Sequence, residues 1–135
     1  MNLARSFPLL GIILVLYTLF AFAEFYSGTP WFESYVVLPL PDGAAMAFTL
    51  EDGLVLFGLV LLFIELVKAT NASNISIFEH IMSTFVLIVF LGELLIFPHQ
   101  MGRAPFIFLT MMALVDVIAG ITISITAARK DLTIG

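Results

Sequence analysis

Four long apolar stretches divide the chain, at about residues 7–26, 50–68, 77–97 and 104–128, each bounded by charged, polar or proline-containing segments. Near-continuous apolar runs of about 18 residues or more read as membrane spans rather than as core helices of a soluble protein. At a rise of about 1.5 Å per residue, each can approach or cross a hydrocarbon core of roughly 30 Å. The second is the shortest by this pattern and needs Lys68 to snorkel toward the interface. The pattern predicts an all-α fold over residues 1–135: one domain, an integral membrane four-helix antiparallel bundle with a long outer loop between helices 1 and 2.

The boundaries carry local signals. The first run has Arg5 in front and Ala21 and Ala23 near its end, as a signal peptide would. Its apolar part exceeds the roughly 7–15 residues of a signal core, and Phe20 and Phe22 interrupt the small-residue cleavage pattern, so a retained helix is expected. Residues 26–49 break the apolar pattern with Pro30, Pro39 and Pro41, and Pro41-Asp42-Gly43 predicts a tight turn. Trp31, Phe32 and Tyr35 have the chemistry of interfacial anchors, so this loop is expected along the membrane surface, with a short helix or an extended piece. Thr49 with Asp52, and Ser76 with Glu79, predict capped starts for the second and third helices. Asn71–Ser76 reads as a polar turn, Pro98 stops the third helix, Pro105 suits the first turn of the fourth, and Arg129-Lys130 ends it after Ala128.

Lipid supplies no hydrophobic drive between helices, so faces of small residues mark close packing. In the fourth helix Thr110, Ala113, Asp116, Gly120, Ser124 and Ala127 share one face, while Phe108, Met111, Val115, Ile118, Ile121 and Ile125 lie mostly elsewhere. Ala113, Gly120 and Ser124 are the candidate packing positions. The first helix offers Gly11, Thr18, Ala21, Glu24 and Gly28, and the second Leu54, Gly58, Leu61, Glu65 and Lys68. The short later connections predict helices 2, 3 and 4 as antiparallel neighbours.

Composition agrees with a bilayer as solvent: 61% of residues are hydrophobic and 11% charged, with a mean hydropathy of +1.16, against roughly 45–50% and about 25% in soluble domains. The absence of cysteine removes disulfides, thiolate metal sites and a cysteine nucleophile. Five scattered Lys and Arg cannot form a basic stripe, which excludes nucleic acid as a partner. If the N-terminus is inside, Arg5, Lys68, Arg129 and Lys130 all fall on the cytoplasmic side and only Arg103 falls outside. Both termini are therefore expected in the cytoplasm, in a membrane such as the bacterial inner membrane. The sequons at Asn71 and Asn74 fall on that same side and are outweighed by the charges.

Intramembrane carboxylates are functional candidates by default. Asp116, Glu93, Glu65 and Glu24 form the candidate polar site. Glu65 has Lys68 one turn on, Glu79 fits a helix cap, Glu93 has Arg103 as a candidate partner, and Glu24 lies where interfacial water can solvate it. Glu79 and Glu93 lie about 40° apart around their helix and so share a face. Asp116 has no base within reach along its own helix and must be neutral, bonded by Thr18, Ser83 or Thr84, or open to a watery cavity. His80 and His99 fall at opposite ends of the third helix and cannot share a haem. His80 beside Glu79 does not make a metal site, and Gly53–Gly58 lacks the Lys-Ser/Thr of a phosphate loop. No catalytic triad or zinc-protease motif occurs either, so neither cofactor, metal nor catalysis is expected.

The stretch Ala23-Glu-Phe-Tyr-Ser-Gly-Thr29 resembles the first helix of small multidrug-resistance exporters, and the resemblance implies proton exchange for cationic drugs through Glu24. That family places its Glu well inside the helix and has short loops. Here Glu24 nearly ends the helix and a long loop follows, so the activity is not carried over. The sequence expectation is a small non-catalytic accessory or scaffold subunit, packing in the lipid bilayer against other membrane protein subunits or as a homo-oligomer. The alternative is a small proton-coupled carrier or channel using Asp116, Glu93 and Glu65 at stepped depths. A membrane enzyme has no positive motif.

Overall fold

The computed structural model describes residues 7–71 and 77–134. Helix α1 covers Leu10–Ser27, a 3-10 turn Trp31–Glu33 follows, and strands β1 (Tyr35–Pro39) and β2 (Ala45–Thr49) form a hairpin. Helix α2 covers Leu50–Asn71 and α3 covers Ile77–Ile96; a single helical turn at Pro98–Met101 then leads into α4, Ala104–Ile134. All four long helices are long and apolar enough to cross a membrane, which points to an integral membrane protein. The expected Ser76 cap, Asn74 and most of the polar turn lie outside the described residues.

Local chemistry explains the boundaries. Gly28 ends α1 in the left-handed conformation (φ 69°), its N–H donating to the Glu24 carbonyl at 3.0 Å. In the hairpin Tyr35 pairs with Thr49 and Pro39 with Ala45. Its turn is the one that Pro41-Asp42-Gly43 predicts: Gly43 N–H donates to Leu40 O at 3.0 Å, and Ala44 N–H to Asp42 Oδ1 at 3.0 Å. Gly43 takes the positive φ (84°) that follows such a turn. The expected cap of α2 is reciprocal, Asp52 N–H donating to Thr49 Oγ1 at 3.1 Å and Thr49 N–H to Asp52 Oδ2 at 3.0 Å.

Two lengths depart from the sequence reading. Helix α2 has 22 residues against 18 for α1, so the second helix is not the shortest. It stays wound past Lys68, with Thr70 Oγ1 donating back to the Val67 carbonyl at 2.8 Å. Helix α4 runs beyond Ala128 to Ile134, 31 residues in all, or about 46 Å of rise. Arg129 and Lys130 end the apolar run without ending the helix, because both are good helix formers.

Consecutive helices alternate in direction, and α3 and α4 are antiparallel neighbours as expected, but α2 and α3 are not neighbours. Helix α4 packs against both α2 and α3, α1 closes the other side against α2 and α3, and α2 and α3 lie across the diagonal. Small residues explain this ordering. A side chain at Gly58 of α2 would bring its Cβ within 2.5 Å of Leu109 Cδ2, and one at Gly120 of α4 within 3.3 Å of the His80 ring of α3. The closest approaches are thus α2 to α4, which run parallel, and α4 to α3. Between them the core is apolar: Ile13, Leu14, Leu54, Leu61, Val86, Phe90 and Leu109 are buried. Leu19, Phe63, Phe85 and Ile118 point outward and are exposed, as a lipid-facing surface requires.

Candidate functional site

The polar side chains collect at the two ends of this apolar layer. One end carries the hairpin and is called the loop end here; the other carries the start of α1 and the far part of α4 and is called the termini end.

At the loop end the organising residue is Arg103, just before α4. Its Nε donates to Glu51 Oε1 at 2.9 Å and its Nη2 to Glu51 Oε2 at 3.1 Å, a two-pronged pair. Its Nη1 donates to Glu24 Oε1 at 3.1 Å, and the guanidinium lies 5.0 Å from the centre of the Phe32 ring. Glu24 Oε2 accepts the Phe32 N–H at 2.9 Å, and Glu51 Oε1 accepts the Tyr17 hydroxyl at 2.6 Å. Tyr17 stacks on Phe32, ring centres 4.8 Å apart, and meets Phe106 at 5.2 Å. One cation therefore joins α1, the 3-10 turn, α2 and the start of α4. Burial works against the Arg103 charge, but the hydrogen bonds and negative charge of Glu51, with that of Glu24, outweigh it and raise its pKa.

These contacts correct two expectations. Arg103 does not pair with Glu93, because the two carboxylates nearest it belong to α1 and α2. Glu93 instead accepts the Thr18 hydroxyl at 2.8 Å, linking α3 to α1. Nor is Glu24 left to interfacial water, since it accepts from both Phe32 and Arg103. Trp31 and Tyr35 are exposed as interfacial anchors would be, whereas Phe32 is only 2% exposed, sealed beneath Arg103 and Tyr17. Tyr17 and Glu51 were not among the sequence candidates. The usable signal was spacing: Tyr17 and Glu24 are seven residues apart and lie on one face of α1. Glu51 lies in the acidic first turn of α2, and only the tertiary fold places it under Arg103.

At the termini end Glu65 and Lys68 form the expected pair, 3.5 Å apart. Glu65 also accepts the Leu9 N–H at 3.2 Å, satisfying a backbone group at the start of α1. Asp116 is buried, and Ser83, one of its three expected partners, lines the same cleft. Thr18 is taken by Glu93, and Thr84 donates to the His80 carbonyl at 2.8 Å. His80 bonds Ser124 across the α3–α4 contact, and Ser124 donates to the Gly120 carbonyl at 2.8 Å. Ala113, Gly120 and Ser124 therefore all face the interior, Ala113 and Gly120 buried and Ser124 half-buried, while Ala127 is exposed. Asp116, Glu65, Lys68, Glu79, His80 and Ser83 surround a cleft of about 30 Å³. The cleft has room for ordered water.

The four candidate acids are thus not brought together. Glu24 belongs to the Arg103 cluster, Glu93 to Thr18, and Glu65 and Asp116 to the cleft at the other end. Among the described residues no group of three or more His, Asp or Glu is arranged to hold a metal ion. Comparison with protein-family models, curated proteins and solved structures gives no match to this chain.

Proposed function

We propose that this chain is a small non-catalytic membrane protein whose work is assembly: it packs as an accessory or scaffold subunit against other membrane proteins or further copies of itself. The observation that carries the reading is where its charges are used. Glu24, Glu51 and Arg103 close on one another at the loop end, and Glu65 and Lys68 do so at the termini end. The layer between them, from Ile13 and Leu14 across to Phe90 and Leu109, is apolar and buried. A carrier needs protonatable groups in stepped contact through the membrane. Here the steps are separated by apolar side chains, and the one buried hydroxyl among the described residues of that layer, Thr110, donates to the Phe106 carbonyl of its own helix at 2.8 Å. Positive-inside charge places both termini in the cytoplasm in this proposal.

The test is native purification in mild detergent with mass spectrometry of what remains bound. A stoichiometric membrane partner or a defined oligomer is the expected result. A lone monomer that conducts protons or drives substrate flux after reconstitution, with Asp116→Asn abolishing the flux, overturns the proposal in favour of the carrier.

A further inference from the structure

Beside the Arg103 cluster, on the outer surface of the loop end, lies a groove of about 370 Å³. Met46 and Phe48 of β2, Asp52 and Leu56 of α2, and Pro105 and Phe108 of α4 line it. It spans the level from the hairpin to the second turn of α2, so it joins the polar boundary of the bilayer to its hydrocarbon. We infer that this groove binds one phospholipid with a primary-amine headgroup, seating one acyl chain between β2 and the helices and the ammonium on Asp52.

Three observations select that occupant. Asp52 is exposed; its Oδ2 accepts the Thr49 N–H, and a carboxylate has further lone pairs with which to accept from a cation at the polar end. The charge around it is one-signed: Glu33 and Asp42 are also exposed, and no Lys or Arg occurs between Arg5 and Lys68. Arg103, the nearest guanidinium in sequence, is committed to Glu51 and Glu24. An anionic headgroup would meet repulsion here, and a quaternary ammonium could not donate the hydrogen bond that a carboxylate can accept. Apart from Asp52 the groove is lined by apolar side chains, as a hydrocarbon chain requires. A single hydrocarbon chain fits the slot and continues the lipid-facing surface of Leu56 and Phe108, both exposed.

The test uses the full chain in phosphatidylcholine nanodiscs doped with equal small fractions of phosphatidylethanolamine and phosphatidylglycerol, with retained lipids counted by native mass spectrometry. Phosphatidylethanolamine is expected to be retained roughly fivefold over either competitor, the ratio set by an interfacial ion pair of about 1 kcal/mol. Asp52→Asn, which keeps an N-capping side chain, should abolish the preference, and Leu56→Trp should displace the lipid by filling the groove. The headgroup comparison on the unaltered protein is independent of how either variant folds. Equal retention of the three lipids, a preference for phosphatidylglycerol, an undiminished preference in Asp52→Asn, or a polypeptide cross-linked in the groove in place of lipid each overturns the inference.

Discussion

Replacing Arg103 by Met tests whether one cation holds the loop end together. Met keeps much of the apolar stem and deletes three hydrogen bonds, at 2.9, 3.1 and 3.1 Å, and the contact with Phe32. Breaking a fully buried pair from one side costs about 3–5 kcal/mol because a carboxylate is left uncompensated, whereas an exposed pair is worth about 0.2–1 kcal/mol. The Glu51 side chain is 11% exposed and that of Arg103 35%, so the site lies between these limits. A loss of about 2–3 kcal/mol is expected. The assay is helix content by circular dichroism during sodium dodecyl sulfate titration of the protein in mixed micelles. Glu51→Gln completes a cycle, because Gln still accepts from Tyr17 but carries no charge for Arg103 to neutralise. The double variant should be less destabilised than the sum of the singles, by about 1–2 kcal/mol. A cost for Arg103→Met below about 0.5 kcal/mol, or strict additivity with Glu51→Gln, would refute the cluster as a source of stability.

Three further outcomes are expected. Phe32→Ala removes the ring on which Tyr17 and Arg103 rest and should cost about 2–4 kcal/mol; limited proteolysis should then cut the hairpin segment faster, and an unchanged cutting rate would contradict the sealing role. Gly58→Ala places a methyl group against Leu109, which is fully buried, and should cost about 1–3 kcal/mol, part of it recovered by adding Leu109→Val; no loss would mean that α2 and α4 are not in close contact. Asp116→Asn removes the carboxylate charge at nearly the same volume and should leave assembly intact, as read by gel filtration; loss of the assembled species would make Asp116 part of an interface.

The spans were legible because the bilayer demands long apolar runs, and local signals placed the Thr49–Asp52 cap and the Pro41-Asp42-Gly43 turn correctly. The buried face of α4 was legible too, because small residues recur at helical spacing from Ala113 to Gly120. Neighbour relations were legible only for α3 and α4. Chain proximity suggested α2 beside α3, but the positions of Gly58 and Gly120 reward α4 inserting between them. The pairing of Arg103 was misread for a related reason. Glu93 is its nearest acid in sequence, and only the tertiary fold brings Glu24 and Glu51 closer. The loop illustrates the same limit, since Phe32 shares the chemistry of Trp31 and Tyr35 but is the one drawn inward by a cation above it.

The diagonal placement of α2 and α3 bears on the order in which the chain assembles during synthesis. Helices α1 and α2 can meet early, through Tyr17 and Glu51. Helix α3 then has α1 as a partner but not α2. The contacts that enclose α2 and α3 wait for the last helix, and so does the cation that neutralises Glu24 and Glu51. A chain stalled before Arg103 emerges carries two uncompensated carboxylates and two helices without their main packing surface. Release of the final helix supplies both the cation and the packing surface at once.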